Sequence, residues 1–403
     1  MMDSIRIVSR RLAMVVTLLI TCMGTSANEM YDSLEISLLT CAPHDEIYSL
    51  YGHTAIRVKD KSQGFDMVVN YGLFDSSAPN FVLRFIFGLT DYSMGITSFE
   101  IFRQEYAFYG SQVTQQTLDL TEEEKAHIME AISVNSLPEN VVYRYNYFYD
   151  NCTTRARDML ADHLSGEVRY KDHKEGTTTF RNLVHECTAH HPWARFGNDM
   201  LLGLQADKPI GVKEQQFLPR NLMRDFSDAE IVASDGTTRR LIKDESIVVP
   251  PGLTVEKSGG FPLSPLTCAL ILLAITVLVT IVELCTKKTF WVFDAILMLA
   301  SGLAGILLFL MLFSEHPTVQ VNLQLLLLNP LPLFFVYPVV KAMRRHRSHL
   351  WWRIWKVLII LFFIGGFFQK YAEGTYILAL SLLIRIIMNV FKRKDHAKIK
   401  NGN

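Results

Sequence analysis

The residue of this chain best placed to act as a nucleophile is Cys152, which follows Asp150-Asn151 and opens a helical pattern. In YRYNYFYDNCTTRARDML, Tyr143–Leu160, an aromatic run ends at Asp150-Asn151-Cys152. Ala156, Met159, Leu160 and Leu164 then recur at three- and four-residue spacing. That spacing predicts one face of a helix. Asp150 or Asn151 can cap it by accepting a hydrogen bond from an orphan N–H of the first turn. Cys152 then sits at or near the helix start, where the dipole and free N–H groups favour negative charge. There a thiol falls below its free pKa of about 8.5. The same segment also fits a small cysteine merely buried at a helix start, and by itself it leaves both readings open.

A cysteine nucleophile needs a base, and the base needs an orienter. Ahead of residue 260 the chain carries His44, His53, His127, His163, His173, His185, His190 and His191. His127 and His163 fall on predicted helices, where a solvated role is the plainer one. His190-His191-Pro192-Trp193 reads as a loop packed by Trp193. His53 differs. It opens a strand directly after Gly52, a residue that lets another backbone or a ligand approach closely. A turn near residues 59–64 sets His53 roughly opposite Asn70 or Tyr71, within reach of a cross-strand contact. Asn70 can then hold the imidazole in one tautomer. The bland alternative is a strand-end histidine beside a turn and an asparagine that closes a strand.

The elements that must carry these residues follow from pattern. Ile36–Thr40, Gly52–Val58 and Phe65–Tyr71 read as strands, the last two as a hairpin, and Val113–Leu120 alternates like another. Thr121–Ser133 begins with a cap and three acids, so it is a helix. Phe180–Ala189 reads as a helix, and Asp235-Gly236 within Glu230–Val249 marks a hairpin. Phe81, Phe85 and Phe87, with Leu83, Ile86 and Leu89, form an apolar block broken by Arg84. It reads as a core strand, with a membrane-dipping lip or acyl-chain channel as the functional alternative.

The 403 residues carry 40 basic and 40 acidic side chains. With no basic cluster away from the membrane flanks, nucleic acid is not an expected partner. Residues 1–27 read as a secretory signal: Arg6, Arg10 and Arg11, then apolar Leu12–Cys22, then Thr25-Ser26-Ala27 for cleavage. Cys22 as a lipidated cysteine and an uncleaved anchor are the minor options. Residues 28–255 form an exported soluble domain large enough for one core, and 256–265 a linker. Five apolar segments follow at roughly 266–286, 289–313, 319–341, 351–369 and 374–391, each of about 18 to 25 residues and so able to span. Lys287, Lys288, Lys341, Arg344, Arg345, Arg347, Arg353 and the basic tail at 392–403 lie on one side of them, the pattern of a cytoplasmic face. Polar Glu315, His316, Gln320, Asn322, Gln324 and Asn329 gather at the outer end of the third segment, where they can meet a lipid headgroup. Asp294 and Arg385 read as snorkelling or paired. Cys268 and Cys285 fall in the first segment. Cys41, Cys152 and Cys187 remain in an oxidising compartment, an odd count that leaves one thiol free. The pairing expected is Cys41 with Cys187.

GHTAIRV followed later by Asn-Cys at a helix start resembles the circularly permuted branch of the papain-like NlpC/P60 superfamily, in which histidine precedes cysteine, as in lecithin:retinol acyltransferase. More specifically, LLTCAPHDEIYSLYGHTAIRV, NYGLFD, NFVLRFIFGLTDYSM, YNYFYDNCTTRARD, HHPWARFGNDMLLG, FLPRNLM and EHPTVQVNLQLLLLNPLPL resemble the Bacteroides-type lipoprotein N-acyltransferases over nearly the whole mature chain. The resemblance implies an α+β fold, a permuted papain-like exported domain followed by a five-helix transmembrane bundle in the bacterial inner membrane. It implies Cys152 as nucleophile and His53 as base. Asn70 as orienter rests on the hairpin, since relatives often place histidine there. Tyr71, Asn151, Phe85 and His316 are the candidate substrate contacts. The implied reaction moves an acyl chain from a phospholipid, through a cysteine thioester, to the α-amino group of a diacylglyceryl lipoprotein, with no metal or other cofactor. Two rivals stand beside it: a membrane-anchored cell-wall peptidase or amidase using the same residues, and a non-enzymatic assembly protein with a structural Cys152.

Overall fold

The structure, a computed structural model, describes residues 31–44, 49–75, 77–171, 178–252 and 261–400, with side chains left aside at 82 and 391–400. The expected signal segment, residues 256–260 of the expected linker and the last three residues of the tail lie outside the described residues. The chain divides into two units. The first holds residues up to 178 and 210–257, and the second holds 179–209 and everything from 258 onward.

Among the described residues the first unit has ten strands: β1 (Leu34–Cys41), β2 (His53–Asp60), β3 (Phe65–Leu73), β4 (Asp91–Ser98), β5 (Val113–Leu118), β6 (Val142–Arg144), β7 (Glu167–Arg169), β8 (Glu230–Val232), β9 (Thr238–Arg240) and β10 (Ile242–Val249). Seven of them form one antiparallel sheet in the order β10-β5-β1-β2-β3-β4-β6, and β7-β8-β9 form a small second sheet. The helices, in chain order, begin with α1 (Phe81–Ile86), α2 (Phe99–Phe108), α3 (Glu122–Asn135) and α4 (Cys152–Ala161). They continue with α5 (Phe180–Cys187), α6 (Pro192–Leu201), α7 (Val212–Gln215) and α8 (Pro219–Ser227).

Central strands are covered on both faces, which is why LEISLLTC in β1 is buried almost throughout. One face packs Ile36, Ile56 and Val69 against Ile128 of α3, Ala156 and Leu160 of α4, and Leu222 and Phe226 of α8. The other packs Leu39, Ala55 and Val68 against Phe99 and Phe102 of α2. The edge strand β10 reads IKDESIVV and is largely exposed, its charges discouraging further pairing. Thr121 and Glu124 close a capping box at the start of α3, as TEEE implied.

The Phe-rich block is not a core strand. Residues 81–86 form α1, and Leu83 and Phe85 are 50% and 41% exposed. A short, uniformly apolar run has no periodicity to separate helix from strand. Here Asn80 (φ 57°) and Gly88 (φ 71°) supply the turns that bound a helix.

The second unit contains α5 and α6, then α9 (Pro265–Thr286), α10 (Trp291–Met311), α11 (Pro317–Gln320), α12 (Leu331–Arg344), α13 (Trp351–Gly365) and α14 (Thr375–Lys400). Among the described residues, three stretches are long and apolar enough to cross a membrane: Pro265–Thr286, Trp291–Met311 and Pro317–Arg344. Five full spans were expected. The third stretch is broken into α11, a 3-10 turn at Leu323–Leu326, and α12. Pro317 and Pro332 occupy first turns, where a missing N–H costs nothing. Helix α13 has 15 residues, about 22 Å at 1.5 Å each against a hydrocarbon core of about 30 Å. In α14 the apolar part is Thr375–Val390.

Asp294 and Arg385 are paired. The Arg385 guanidinium bonds Asp294 Oδ1 at 2.7 Å and Glu283 Oε2 at 2.6 Å, and all three are buried. Two of the polar residues expected at a lipid interface, Asn322 and Gln324, serve packing within this unit. Asn322 Nδ2 donates to the Met200 carbonyl at 2.7 Å, and Gln324 Nε2 to the Asp199 carbonyl at 2.7 Å. These bonds seat the α5–α6 hairpin in the second unit.

Candidate active site

β2 begins at a backbone position open only to glycine. Gly52 has φ 76°, and a Cβ there would lie 2.6 Å from the Cys41 carbonyl oxygen. His53 follows, paired across β1 with Cys41. Asn70 pairs with Ala55 rather than with His53. Its side chain reaches two residues diagonally, and Oδ1 lies 2.9 Å from His53 Nε2. Diagonal neighbours of this kind remain within reach of long side chains. Oδ1 also accepts the Gly72 amide at 2.8 Å, so the oxygen is the end turned to the imidazole. An amide oxygen only accepts, so Nε2 carries the proton and Nδ1 is the nitrogen left for the thiol.

Cys152 is the first residue of α4, and Asn151 is its cap. Asn151 Oδ1 accepts the Thr153 and Thr154 amides at 2.8 and 2.9 Å, and its Nδ2 donates to the Tyr147 and Phe217 carbonyls at 2.9 and 3.0 Å. That uses the whole carboxamide, so the substrate contact expected of Asn151 gives way to a positioning role. It also consumes two of the amides expected near an oxyanion. The Cys152 amide, by contrast, has no acceptor among the described residues, and it points from the helix start as an oxyanion donor should.

Cys152 and His53 shift one another's titration. Burial alone pushes the Cys152 thiol up. The charge and hydrogen bond of His53, the Thr54 amide and the Thr153 hydroxyl outweigh it and bring the thiol below its ordinary value. Burial alone pushes the His53 imidazole down. The charge and hydrogen bond of Cys152, then Asn70 and Glu105, lift it above the ordinary histidine value. Opposite shifts on two touching groups favour a thiolate–imidazolium pair, the reactive state of a cysteine nucleophile.

Cys41 is the counter-example. It is 1% exposed, and burial drives its thiol far up. Cys41 and Cys187 stand as thiols, not as the expected disulfide. Cys41 packs in the sheet of the first unit among Leu39, Val68 and Phe102, and Cys187 ends α5 of the second.

Tyr71 is buried beside the dyad's strand, and its carbonyl accepts the Tyr143 hydroxyl at 2.5 Å. Phe85 stands at the outer end of an aromatic ladder. Phe85–Phe81, Phe81–Phe74, Phe74–Tyr92 and Tyr92–Tyr145 stack at centroid separations of 6.4, 5.7, 4.9 and 4.0 Å. Tyr92, next to its inner end, lies within the field of Cys152: burial, then the Cys152 charge, pushes the Tyr92 hydroxyl up to about 12. His316 caps α11 in the second unit, its pKa lowered by burial.

Sequence reasoning missed Gly72. A Cβ there would stand 2.7 Å from His53 Cε1 and 3.3 Å from Asn70 Oδ1. The only trace in the sequence is the Asn-Tyr-Gly run, which carries no register. Gly72→Ala should displace the imidazole by a fraction of an ångström to an ångström. Misplacement on that scale costs about 10²-fold in rate. The rate at which Cys152 takes up a thiol-directed alkylating reagent, measured beside a melting curve, checks this; a wild-type rate in a folded variant removes Gly72 from the site.

Two family models match the chain: the Lnb N-terminal periplasmic domain over residues 26–186 and the Lnb transmembrane domain over residues 256–396. No curated protein and no solved structure matches it.

Proposed function

We propose, for a chain that belongs to the Lnb family by its periplasmic domain followed by a transmembrane domain, that Cys152 catalyses acyl transfer from a phospholipid to the α-amino group of a diacylglyceryl lipoprotein. The observation that carries this is the relay Asn70–His53–Cys152, with the thiol lowered, the imidazole raised and an unclaimed amide at the helix start. We read its order, histidine on a strand and then cysteine on a helix, as the permuted papain-like arrangement, set at the outer face of the bacterial inner membrane.

The steps balance as follows. The thiolate Sγ attacks the ester carbonyl carbon, and the Cys152 amide steadies the oxyanion. The C–O bond breaks, and the leaving alkoxide takes the proton held by His53, giving lysophospholipid and an acyl thioester. The acceptor amine attacks the thioester carbonyl, His53 takes the amine proton, and the C–S bond breaks to restore the thiolate. Product is an amide. The test is the intact mass of the protein after incubation with one defined phospholipid. A gain of one acyl chain that peptide mapping places on Cys152 is expected; an unchanged Cys152 would sink the mechanism. A lipidated peptide against a peptidoglycan fragment as acceptor separates this reading from a cell-wall amidase.

The ladder from Phe85 to Tyr145 fits the donor's acyl chain, with Leu83 and Phe85 entering the lipid. Burying one such side chain is worth about 1.5–3 kcal/mol. Leu83→Asp with Phe85→Asp should therefore lower loading from phospholipid vesicles, relative to loading from a short-chain soluble ester, by about tenfold or more. A ratio equal to wild type removes the lip from the donor path.

A further inference from the structure

An open cleft of about 1250 Å³ lies along α4 within the first unit. Arg155, Met159, Asp162 and His163 line it. They follow Cys152 by three, seven, ten and eleven positions, the spacing of one helical stripe. The cleft therefore starts about one turn, roughly 5 Å, from the nucleophile and runs about 9 Å down the helix and into the turn at Asp162–His163 beyond it, room for about three residues of extended peptide.

Its charge is lopsided. Five carboxylates line it, against the two guanidiniums of Arg144 and Arg155. Arg155 is closed on Asp150 at 2.6 Å, and Arg144 is held by Asp91 at 3.0 Å. Glu130, Glu139 and Asp162 are exposed and have no ion-pair partner among the described residues. A second observation stands apart from that acidity. Tyr71 is 1% exposed and forms part of the cleft wall, yet its hydroxyl has no hydrogen-bond partner among the described residues. That hydroxyl lies within the field of Arg155, a lining residue. A buried hydroxyl left unmade is costly, and a ligand that bonds it relieves the cost.

We propose that this cleft binds the positively charged peptide end of the acceptor protein, its amine and the residues just after it, and so presents the amine to the thioester on Cys152. This rests on the acyl-transfer reading. An anion is disfavoured by the three open carboxylates, and a lipid tail by their hydration.

The test uses full chain in neutral detergent and two fluorophore-tagged hexapeptides without lipid, Ser-Ser-Lys-Lys-Ala-Ala and Ser-Ser-Glu-Glu-Ala-Ala. The lysine peptide should bind about tenfold tighter, and added salt should weaken it. Glu130→Lys with Asp162→Lys, both at exposed positions, should reverse the order. Tyr71→Phe should weaken the lysine peptide severalfold with melting temperature unchanged or raised, an outcome that a merely structural hydroxyl does not give. Equal affinity for both peptides in wild type, or an order that survives the charge reversal, overturns the proposal. Peptide binding needs no acylation. A protein that selects the lysine peptide but never loads Cys152 therefore keeps the cleft and loses the reaction, while one that loads Cys152 without selecting the peptide does the reverse.

Discussion

Purified Cys152→Ala protein mixed with radiolabelled-acyl phospholipid is expected to carry no covalent label. The unsubstituted chain carries label that hydroxylamine releases at neutral pH. A double displacement requires an acyl-enzyme, and it accumulates when donor is present and acceptor is absent. The release marks a thioester. The expectation is all-or-none because the described residues of the first unit offer no second reactive thiol: Cys41 is buried, with its pKa driven far up. A diacylglyceryl peptide with a free N-terminal amine should discharge the label into an amide. Its N-acetylated twin should not, because that nitrogen is no longer nucleophilic. Label that persists in Cys152→Ala would place the chemistry elsewhere. Label that passes only to water would make the protein a lipase-like hydrolase on the same scaffold.

Where local chemistry decides structure, the sequence was readable. The cap before Cys152 and the TEEE start of α3 name their own positions, and β1, β2, β3 and β5 lie within two residues of the expected strands. The site was half legible. Residue types picked out His53, Asn70 and Cys152, but the contact depends on a register one or two residues away from the one expected, with Asn70 opposite Ala55. Gly72 has no local signature, because its reason for being glycine is a histidine from another strand. Burial misled in two places. The Phe-rich block looked like core, yet its helix leaves Leu83 and Phe85 exposed. Cys41 looked like half of a disulfide, yet it fills the sheet interior as a thiol. The polar residues of the third apolar segment were read as able to meet a lipid headgroup, whereas Asn322 and Gln324 bond carbonyls of α6, more than 120 positions away in sequence. A contact that remote leaves no periodicity behind.

His53→Ala should load Cys152 about 10²- to 10⁴-fold more slowly, the span that a general acid–base group supplies, and it should change the pH profile in a direction fixed by the shifts. In the unsubstituted chain the thiol lies below its ordinary value and the imidazole above. The two groups titrate with apparent values that belong to the pair jointly. Loading should rise as pH climbs through the lower one and fall as the imidazolium loses its proton above the upper one. Without His53 the largest force lowering the thiol is gone, and burial, which raises it, remains. The fall at high pH should then disappear, and loading should keep climbing with pH to beyond about 8.5, the ordinary value of a free thiol. Asn70→Ala keeps the base but frees the ring and strands the Gly72 amide. Losing an orienting bond of that kind is worth about 1–3 kcal/mol, so its rate should fall by about ten- to a hundredfold while the bell shape persists. Rates of thioester formation from pH 5 to 10 on the three proteins decide the matter. A His53→Ala profile that keeps the bell of the unsubstituted chain would mean that His53 does not set the charge on Cys152, and the assignment of the base would have to move to another residue.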